Sequence, residues 1–185
     1  MTAIRHAEPR DLTAIVAIYN ASVSGRMATA DVEPVTVESR RAWFEEFSPA
    51  HRPLWVASQT VGGLPVAWLS LHSFYGRPAY AATVEVSVYC APDHRRQGLS
   101  RGLLRHAVVA APALGIATFV AYVFGHNAPS LALFETEGFV RWGLLPGVAR
   151  LDDQVRDLVI LGRGVASPAP EIGRITIQSE SDTLW

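Results

Sequence analysis

Runs of alternating or continuous apolar residues along the chain predict seven short strands. These runs occupy residues 4–7, 54–58, 65–72, 81–91, 116–124, 139–145 and 155–162. Gly62 and Gly63 lie between the second and third runs, so those two strands are expected to pair as a hairpin. Apolar residues at helical spacing predict four helices, one starting near residue 11 and the others within 33–47, 100–115 and 128–138.

Several residues mark the ends of these helices. Thr36 is a suitable N-cap for the second helix, and Gly115 and Gly138 suit the C-terminal ends of the third and fourth. Pro112 should distort the last turn of the third helix. The predicted order, β-α-α-β-β-β-α-β-α-β-β, is that of an α/β (α+β) domain in which helices cover a sheet.

This pattern ends near residue 165, so residues 1–165 are expected to form one domain. Residues 166–185 are rich in Pro, Ser and Glu, and we expect a C-terminal tail that is ordered only if the segment RITIQ pairs with a sheet edge. The net charge of −1 gives no sign of a nucleic acid or anionic membrane partner. No apolar run approaches the roughly 20 residues of a membrane span. A single cysteine and an N-terminus without a signal-peptide pattern favour a cytoplasmic location.

The stretch VEVSVYCAPDHRRQGLSRGLL, residues 84–104, places a basic, glycine-containing turn between a strand and a helix. The first turn of a helix has free N–H groups and a positive dipole end, and Gly98 has no side chain to keep an anion away. Arg96 and Arg101 add positive charge, and Ser100 adds a hydroxyl donor. These features predict a pyrophosphate-binding turn. The alternative is a solvated basic turn in front of an ordinary helix. The fingerprints of P-loop and dinucleotide-binding proteins do not occur.

RRQGLS resembles the R/Q-x-x-G-x-G/A signature of the GNAT superfamily of acyl-CoA-dependent N-acetyltransferases, and GHNAPSLALFETEGF resembles that family's next block. The segments IYNASV, EPVTVESRRAWFE, RPAYAATVEVSVY and DLV are similar to the phosphinothricin and methionine sulfoximine acetyltransferase branch. The resemblance runs from about residue 4 to residue 163. It implies a GNAT-type mixed, mostly antiparallel central sheet, with helices on both faces and a splayed strand pair at the cofactor site.

The resemblance also implies roles for particular residues. Acetyl-CoA would be the co-substrate, a small amine the acceptor, and a homodimer the assembly. Glu85 would be the catalytic base, accepting a proton from the acceptor ammonium. The cofactor contacts would be Val88, Tyr89 and Cys90 for the pantetheine and thioester, Arg96, Gln97, Gly98, Leu99, Ser100 and Arg101 for the pyrophosphate, and Asn127 and Ser130 beyond them. Tyr75, Gly76, Arg77 and Glu85 fall where the branch places its amino-acid substrate.

The chain departs from the branch mainly in the acceptor half. Tyr75 stands where the branch usually has Arg, and Val86 stands where it often has His. Phe134 cannot protonate a leaving thiolate. Asp152 and Asp153 would bring negative charge towards the substrate side. The predicted function is acetylation of the free amine of a small amino acid or analogue. A different acceptor (an amine, a peptide N-terminus or an antibiotic) and a non-catalytic acyl-CoA-binding module stay open.

The other candidate residues have simpler interpretations. His72, His106 and His126 lack metal-ligand spacing, so no metal site is expected. Cys90 has no evident histidine partner and is interpreted as a structural strand cysteine. Glu85 could instead be a core carboxylate paired with an arginine. The tryptophans Trp43, Trp55, Trp68 and Trp142 are expected in the core or on a dimer surface rather than around a ligand.

Overall fold

The computed structural model describes residues 2–165, so the predicted tail lies outside the described residues. A seven-stranded sheet forms the centre of the fold, with the spatial order β1-β2-β3-β4-β5-β7-β6. The strands are β1 (Ala3–His6), β2 (Leu54–Ser58), β3 (Ala67–Ser73), β4 (Thr83–Cys90), β5 (Thr118–Phe124), β6 (Val140–Leu151) and β7 (Gln154–Gly164). Adjacent strands are antiparallel except β4 and β5, which are parallel.

Helices cover both faces of this sheet, as predicted. They are α1 (Leu12–Val23), α2 (Arg41–Glu45), α3 (Leu99–Ala110) and α4 (Ala128–Thr136). On one face, Leu103 of α3 and Phe134 of α4 pack in a large core with apolar residues of β2 to β5 and β7. On the other face, Ile15 and Ile18 of α1 pack with Trp68 of β3, and side chains from the α2 region close this smaller core. In the described part of the chain, no helix combines the length and hydrophobicity needed to span a bilayer.

The pairing between β4 and β5 stops early. Cα partners are found only between Thr83 and Thr118, Val84 and Phe119, and Glu85 and Val120. Beyond Glu85, β4 remains paired with β3 up to Cys90, but no strand within residues 2–165 pairs with it on its β5 side. The two strands therefore separate at Glu85, which confirms the splayed pair that the resemblance implied.

Two elements, the second helix and the sixth strand, differ most from the sequence predictions. The second helix is short, because a 3-10 turn over Glu38–Arg40 precedes α2, and the Ser39 N–H donates to the Thr36 hydroxyl at 3.1 Å. Strand β6 continues six residues beyond the predicted end at residue 145, through Pro146 and Gly147 to Leu151. The sheet tolerates Pro146 because β6 is an edge strand, and a register shift between Leu145 and Ala149 absorbs the extra residues.

Candidate active site

A cavity of about 160 Å³ lies on the α1 and α2 face of strands β3 and β4. Because side chains alternate along a strand, every second residue of each strand faces this cavity. Its floor consists of three cross-strand pairs: Trp68 with Tyr89, Ser70 with Ser87, and His72 with Glu85. Its remaining walls come from Ile15, Val16, Tyr19, Val35, Arg40 and Trp43.

Glu85 lies in this floor at the point where β4 and β5 separate. Burial raises the pKa of its carboxyl group above the ordinary value, because the ionised form loses hydration. No ion pair joins Glu85 to any arginine of residues 2–165, so the alternative of a core carboxylate paired with an arginine is not observed there. A half-buried carboxylate that faces a cavity and forms no ion pair within residues 2–165 is suited to exchange a proton with a bound molecule.

His72 is directly opposite Glu85 in the β3–β4 pair and was not predicted as a site residue. The Trp43 indole N–H donates to His72 Nε2 at 3.1 Å, which assigns the imidazole proton to Nδ1. Burial lowers the pKa of His72, with Arg40 also lowering it and Glu46 opposing, so the ring is neutral near pH 7. Sequence spacing could not reveal this histidine, because its place depends on the register between two strands.

Arg40 lies in the wall opposite the floor, within a polar cluster. Its Nη2 donates to Asp31 Oδ2 at 2.8 Å, and its guanidinium lies 4.9 Å above the Tyr19 ring centroid and 5.8 Å from that of Trp43. The Tyr19 hydroxyl donates to the same Asp31 oxygen at 2.7 Å and lies 2.5 Å from the Thr29 hydroxyl. Trp68 and Trp55 are core residues, as expected, and Trp43 packs against the smaller core. Trp43 and Trp68 also line the cavity, which the sequence did not indicate.

The predicted pyrophosphate-binding turn adopts the expected backbone. Gly98 has a φ of 79° directly before α3, a left-handed conformation that favours glycine. The first helical hydrogen bond runs from the Gly102 N–H to the Gly98 carbonyl, so the N–H groups of the first turn before Gly102 lack intrahelical acceptors. Arg101, by contrast, forms an ion pair with Glu137 at 3.0 Å, which Arg105 shares at 2.8 Å. Its guanidinium thus links α3 to the end of α4.

Asn127 is buried and uses both ends of its side-chain amide within the protein. Its oxygen accepts from the Ser130 N–H at 3.2 Å, which caps α4, and its nitrogen donates to the Met27 carbonyl at 2.7 Å. Nearby, the Tyr89 hydroxyl donates to the Ala28 carbonyl at 3.2 Å. Side chains from α4 and β4 therefore hold the segment after α1 in place.

The other predicted residues are arranged in three ways. Val88 and Cys90 face the large core, and burial raises the pKa of the Cys90 thiol, as expected for a structural cysteine. Arg96 and Gln97 are exposed in the turn. Tyr75, Gly76 and Arg77 form an exposed loop that does not line the cavity.

Tyr122 is a second residue that sequence reasoning missed. It alternates with the core-facing Phe119, Ala121 and Val123 on β5, so it faces the same side of the sheet as Glu85. Burial raises the pKa of the Tyr122 hydroxyl, and the neighbouring Tyr75 and Glu85 raise it further. Among residues 2–165, no group of three or more His, Cys, Asp or Glu side chains could hold a metal ion.

The sequence profile described as "Acetyltransferase (GNAT) family" matches residues 13–139. The chain belongs to this family. It is 51% identical over 160 residues to a Bacillus subtilis protein named "Putative phosphinothricin acetyltransferase YwnH", covering 86% of this chain and 97% of that one. It is 33% identical over 158 residues to the L-methionine sulfoximine/L-methionine sulfone acetyltransferase of Pseudomonas aeruginosa, covering 85% and 91%.

Solved structures agree with this assignment. A GNAT superfamily phosphinothricin acetyltransferase from Sinorhizobium meliloti, determined in complex with acetyl-CoA, superposes with a TM-score of 0.82 at 26% identity. The match covers 95% of this chain and 97% of that one. The predicted family, fold class and type of enzyme, an acyltransferase, are therefore confirmed. A GNAT acetyltransferase must bring two substrates together; in this chain α3 packs on one face of the sheet and the cavity beside Glu85 lies on the other.

Proposed function

We propose that the protein is an acetyl-CoA-dependent N-acetyltransferase that acetylates the free amine of a small amino acid or amino-acid analogue. The observation that carries this proposal is the half-buried Glu85 carboxyl group, facing a cavity at the point where β4 and β5 separate. The names of the relatives, which include phosphinothricin and methionine sulfoximine acetyltransferases, support this class of acceptor.

The turn before α3 fits a pyrophosphate. Gly98 presents no side chain, the N–H groups of Leu99 and Ser100 are free of helical acceptors, and Arg96 is exposed beside them. The unpaired edge of β4 from Val86 to Cys90 offers backbone donors and acceptors for the pantetheine. When bound there, acetyl-CoA supplies the acetyl group as an activated thioester.

Glu85 would accept a proton from the acceptor ammonium, directly or through one water molecule, which frees the nitrogen lone pair for attack on the thioester carbon. Its raised pKa brings its proton affinity closer to that of the amine than an exposed carboxylate would allow. A backbone N–H of Val88 or Tyr89 on the unpaired edge would donate to the carbonyl oxygen as negative charge develops. Holding both reactants in place supplies much of the remaining rate.

The proton for the departing thiolate would not come from α4. Phe134 is buried in the large core, edge-on to Phe139 at 4.9 Å, so this part of the helix has no acid at the site. A thiol pKa near ~8.5 lets the thiolate leave without protonation. A buried phenylalanine at this place on α4, instead of an acid, also favours the second candidate, a module that binds acyl-CoA without turnover.

The test is release of CoA thiol from acetyl-CoA with a panel containing amino acids, methionine sulfoximine, phosphinothricin and polyamines. We expect turnover of an amino-acid-like amine and a loss of roughly 10²- to 10⁴-fold in kcat/KM for Glu85→Gln, with acetyl-CoA affinity unchanged. Glu45→Gln, an exposed carboxyl group of α2 outside the cavity, is the matched control. Binding of acetyl-CoA without turnover of any amine would favour the binding module. Full activity of Glu85→Gln would remove Glu85 as the base.

We also propose that the protein is a homodimer. Leu144, Val148 and Val155 of the β6–β7 hairpin are more than half exposed, and Trp142 of β6 is 37% exposed. An edge strand with this much apolar surface is typical of a subunit interface. Sedimentation equilibrium should give twice the 20.1 kDa chain mass, and Leu144→Lys should shift the protein towards the monomer.

A further inference from the structure

We propose that Arg40 binds the carboxylate of the acceptor and thereby makes the site selective for amino acids over simple amines. This inference rests on the proposed function, because it concerns the acceptor that Glu85 would deprotonate. It differs from the expectation for the loop of Tyr75, Gly76 and Arg77, which lies exposed and does not line the cavity.

Charge is the first observation that points to Arg40. Among the residues that line the cavity, Arg40 and Glu85 are the two that carry a charge near pH 7, since His72 is neutral. The other lining residues are aromatic, aliphatic or hydroxyl-bearing. A cavity with one cation and one anion complements a zwitterion, whose ammonium would face Glu85 and whose carboxylate would face Arg40.

Unused hydrogen-bonding capacity is the second observation. A guanidinium has five N–H donors, and the one side-chain hydrogen bond that Arg40 makes within the described residues runs from Nη2 to Asp31 at 2.8 Å. The side chain is 26% exposed, so the remaining donors reach the cavity or solvent rather than other side chains. A carboxylate is the acceptor that matches two parallel N–H groups of a guanidinium.

Fixed orientation is the third observation. Tyr19 and Trp43 lie against the guanidinium, at 4.9 Å and 5.8 Å, and restrict its plane, while Asp31 holds one of its terminal nitrogens. Trp43 also donates to His72, the cross-strand partner of Glu85. A chain of contacts therefore runs from the Arg40 guanidinium through Trp43 to His72 and Glu85 at the far side of the cavity. A guanidinium held in advance loses less entropy when it binds an anion.

The experiment compares two acceptors that differ only in the carboxylate: methionine sulfone and its decarboxylated amine, 3-(methylsulfonyl)propylamine. We expect the native protein to prefer methionine sulfone. Arg40→Met keeps the aliphatic stem and should lower kcat/KM for methionine sulfone by roughly 10- to 100-fold while leaving kcat/KM for the amine within about twofold. Arg41→Met is the control, because Arg41 is exposed, pairs with Glu38 and lies outside the cavity.

Equal losses for both acceptors in Arg40→Met would overturn the inference, because a residue that only supports the cavity wall would affect both alike. Equal use of both acceptors by the native protein would overturn it without any variant, even if Arg40→Met does not fold. If no amine of any kind is acetylated, the proposed function itself fails. If amines are acetylated but the carboxylate makes no difference, only the role of Arg40 fails.

Discussion

Glu85 combines two opposing requirements at the scale of a single residue. Its position in the cavity floor suits the proposed contact with an amine, yet the same burial disfavours the charge that the proposed role as a base requires. No arginine within residues 2–165 offsets this cost through an ion pair. We therefore expect the native protein to sacrifice some stability at this residue for activity.

This conflict predicts a pH-dependent effect of Glu85→Gln on stability. The pKa of Glu85 is raised in the folded state above the ordinary value of 4.5. Below that pH the carboxyl group is mainly protonated in both the folded and the unfolded chain, so its burial carries no charge penalty. The folded protein loses stability as the pH rises through the folded pKa. Glutamine carries no such charge. The variant should match the native protein in melting temperature near pH 4 and exceed it at pH 7, as measured by calorimetry across that range. A constant difference at all pH values would contradict the burial of an ionised carboxylate.

Single residues were predictable only where a local motif marks them. The sequence points to Glu85 because this residue lies in a recognisable strand before the basic turn, whereas the spacing of His72 bears only on a metal site. The pairing of His72 with Glu85 depends on the antiparallel register of β3 and β4, which is not visible in the spacing along one strand. Arg40 precedes α2 in a segment without strand periodicity, and only the tertiary packing brings it to the cavity.

At the scale of one element, two glycines at the start of α3 have different effects on the backbone. Gly98 and Gly102 lie four residues apart, but their conformations differ. Gly98 has a φ of 79°, and a Cβ there would meet no atom within 4 Å, so the conformation alone requires glycine. Gly102 lies inside the helix, where a Cβ would be 3.9 Å from the Ile4 side chain, an ordinary contact.

The two glycines should therefore respond in opposite directions to alanine. Gly98→Ala should lower the free energy of unfolding by about 1–2 kcal/mol through left-handed strain and should weaken acetyl-CoA binding. Gly102→Ala should raise the free energy of unfolding by about 0.5–1 kcal/mol, because alanine favours the helical backbone. Urea denaturation and calorimetric titration with acetyl-CoA measure both effects. A stabilised Gly98→Ala protein would be incompatible with the observed turn.

The types of the elements were predictable, but their lengths were less so. Pro112 distorts the end of the third helix as expected: a 3-10 turn over Ala111–Leu114 follows α3, because the missing N–H of proline interrupts helical hydrogen bonding. The apolar run that predicts β6 ends at residue 145, yet the strand continues through Pro146, because an edge strand can leave one side unpaired. The Gly147 N–H donates to the Asp157 side chain at 2.8 Å and so keeps the hairpin together at the irregular position.

At the scale of the whole molecule, distant elements meet at the segment that follows α1. The Arg26 guanidinium forms two hydrogen bonds of 3.0 Å with Asp152 at the tip of the β6–β7 hairpin, and the Arg26 carbonyl lies 2.9 Å from His126 Nε2. The Met27 carbonyl accepts from Asn127. This segment continues to Asp31, which holds Arg40, so the shape of the cavity depends on contacts made by α4 and the hairpin.

The dependence of the cavity on α4 can be tested at Asn127, because two substitutions separate its hydrogen bond to Met27 from its cap of α4. Asn127→Asp keeps an oxygen to cap α4 but loses the donor to Met27, and should lower the free energy of unfolding by about 1–3 kcal/mol. We expect a higher KM for the acceptor and little change in acetyl-CoA affinity. Asn127→Ala also removes the cap and should cost about 1 kcal/mol more. Weaker acetyl-CoA binding with an unchanged acceptor KM would instead support the cofactor contact predicted for Asn127.

Contacts between residues that are far apart in the sequence were the least predictable part of the structure. Asp152 was expected to bring negative charge towards the substrate side, and it does lie against the segment next to the cavity. Its charge is compensated there, however, because the hydrogen bonds from Arg26 lower the pKa of Asp152 and hold the carboxylate beside a cation. Residues 126 positions apart in the chain form this pair, a separation over which no local pattern carries information.

The alternation of side chains along β4 has a consequence for how this enzyme could change its substrate. Glu85, Ser87 and Tyr89 point into the cavity, whereas Val84 and Val86 point into the large core beneath α3. Their cross-strand neighbours on β3 divide in the same way. Replacing Ser70, Ser87 or His72 would thus reshape the cavity proposed for the acceptor and leave the large core under α3 intact. New acceptors could be acquired by a small library restricted to alternate positions, without a compensating change on the opposite face.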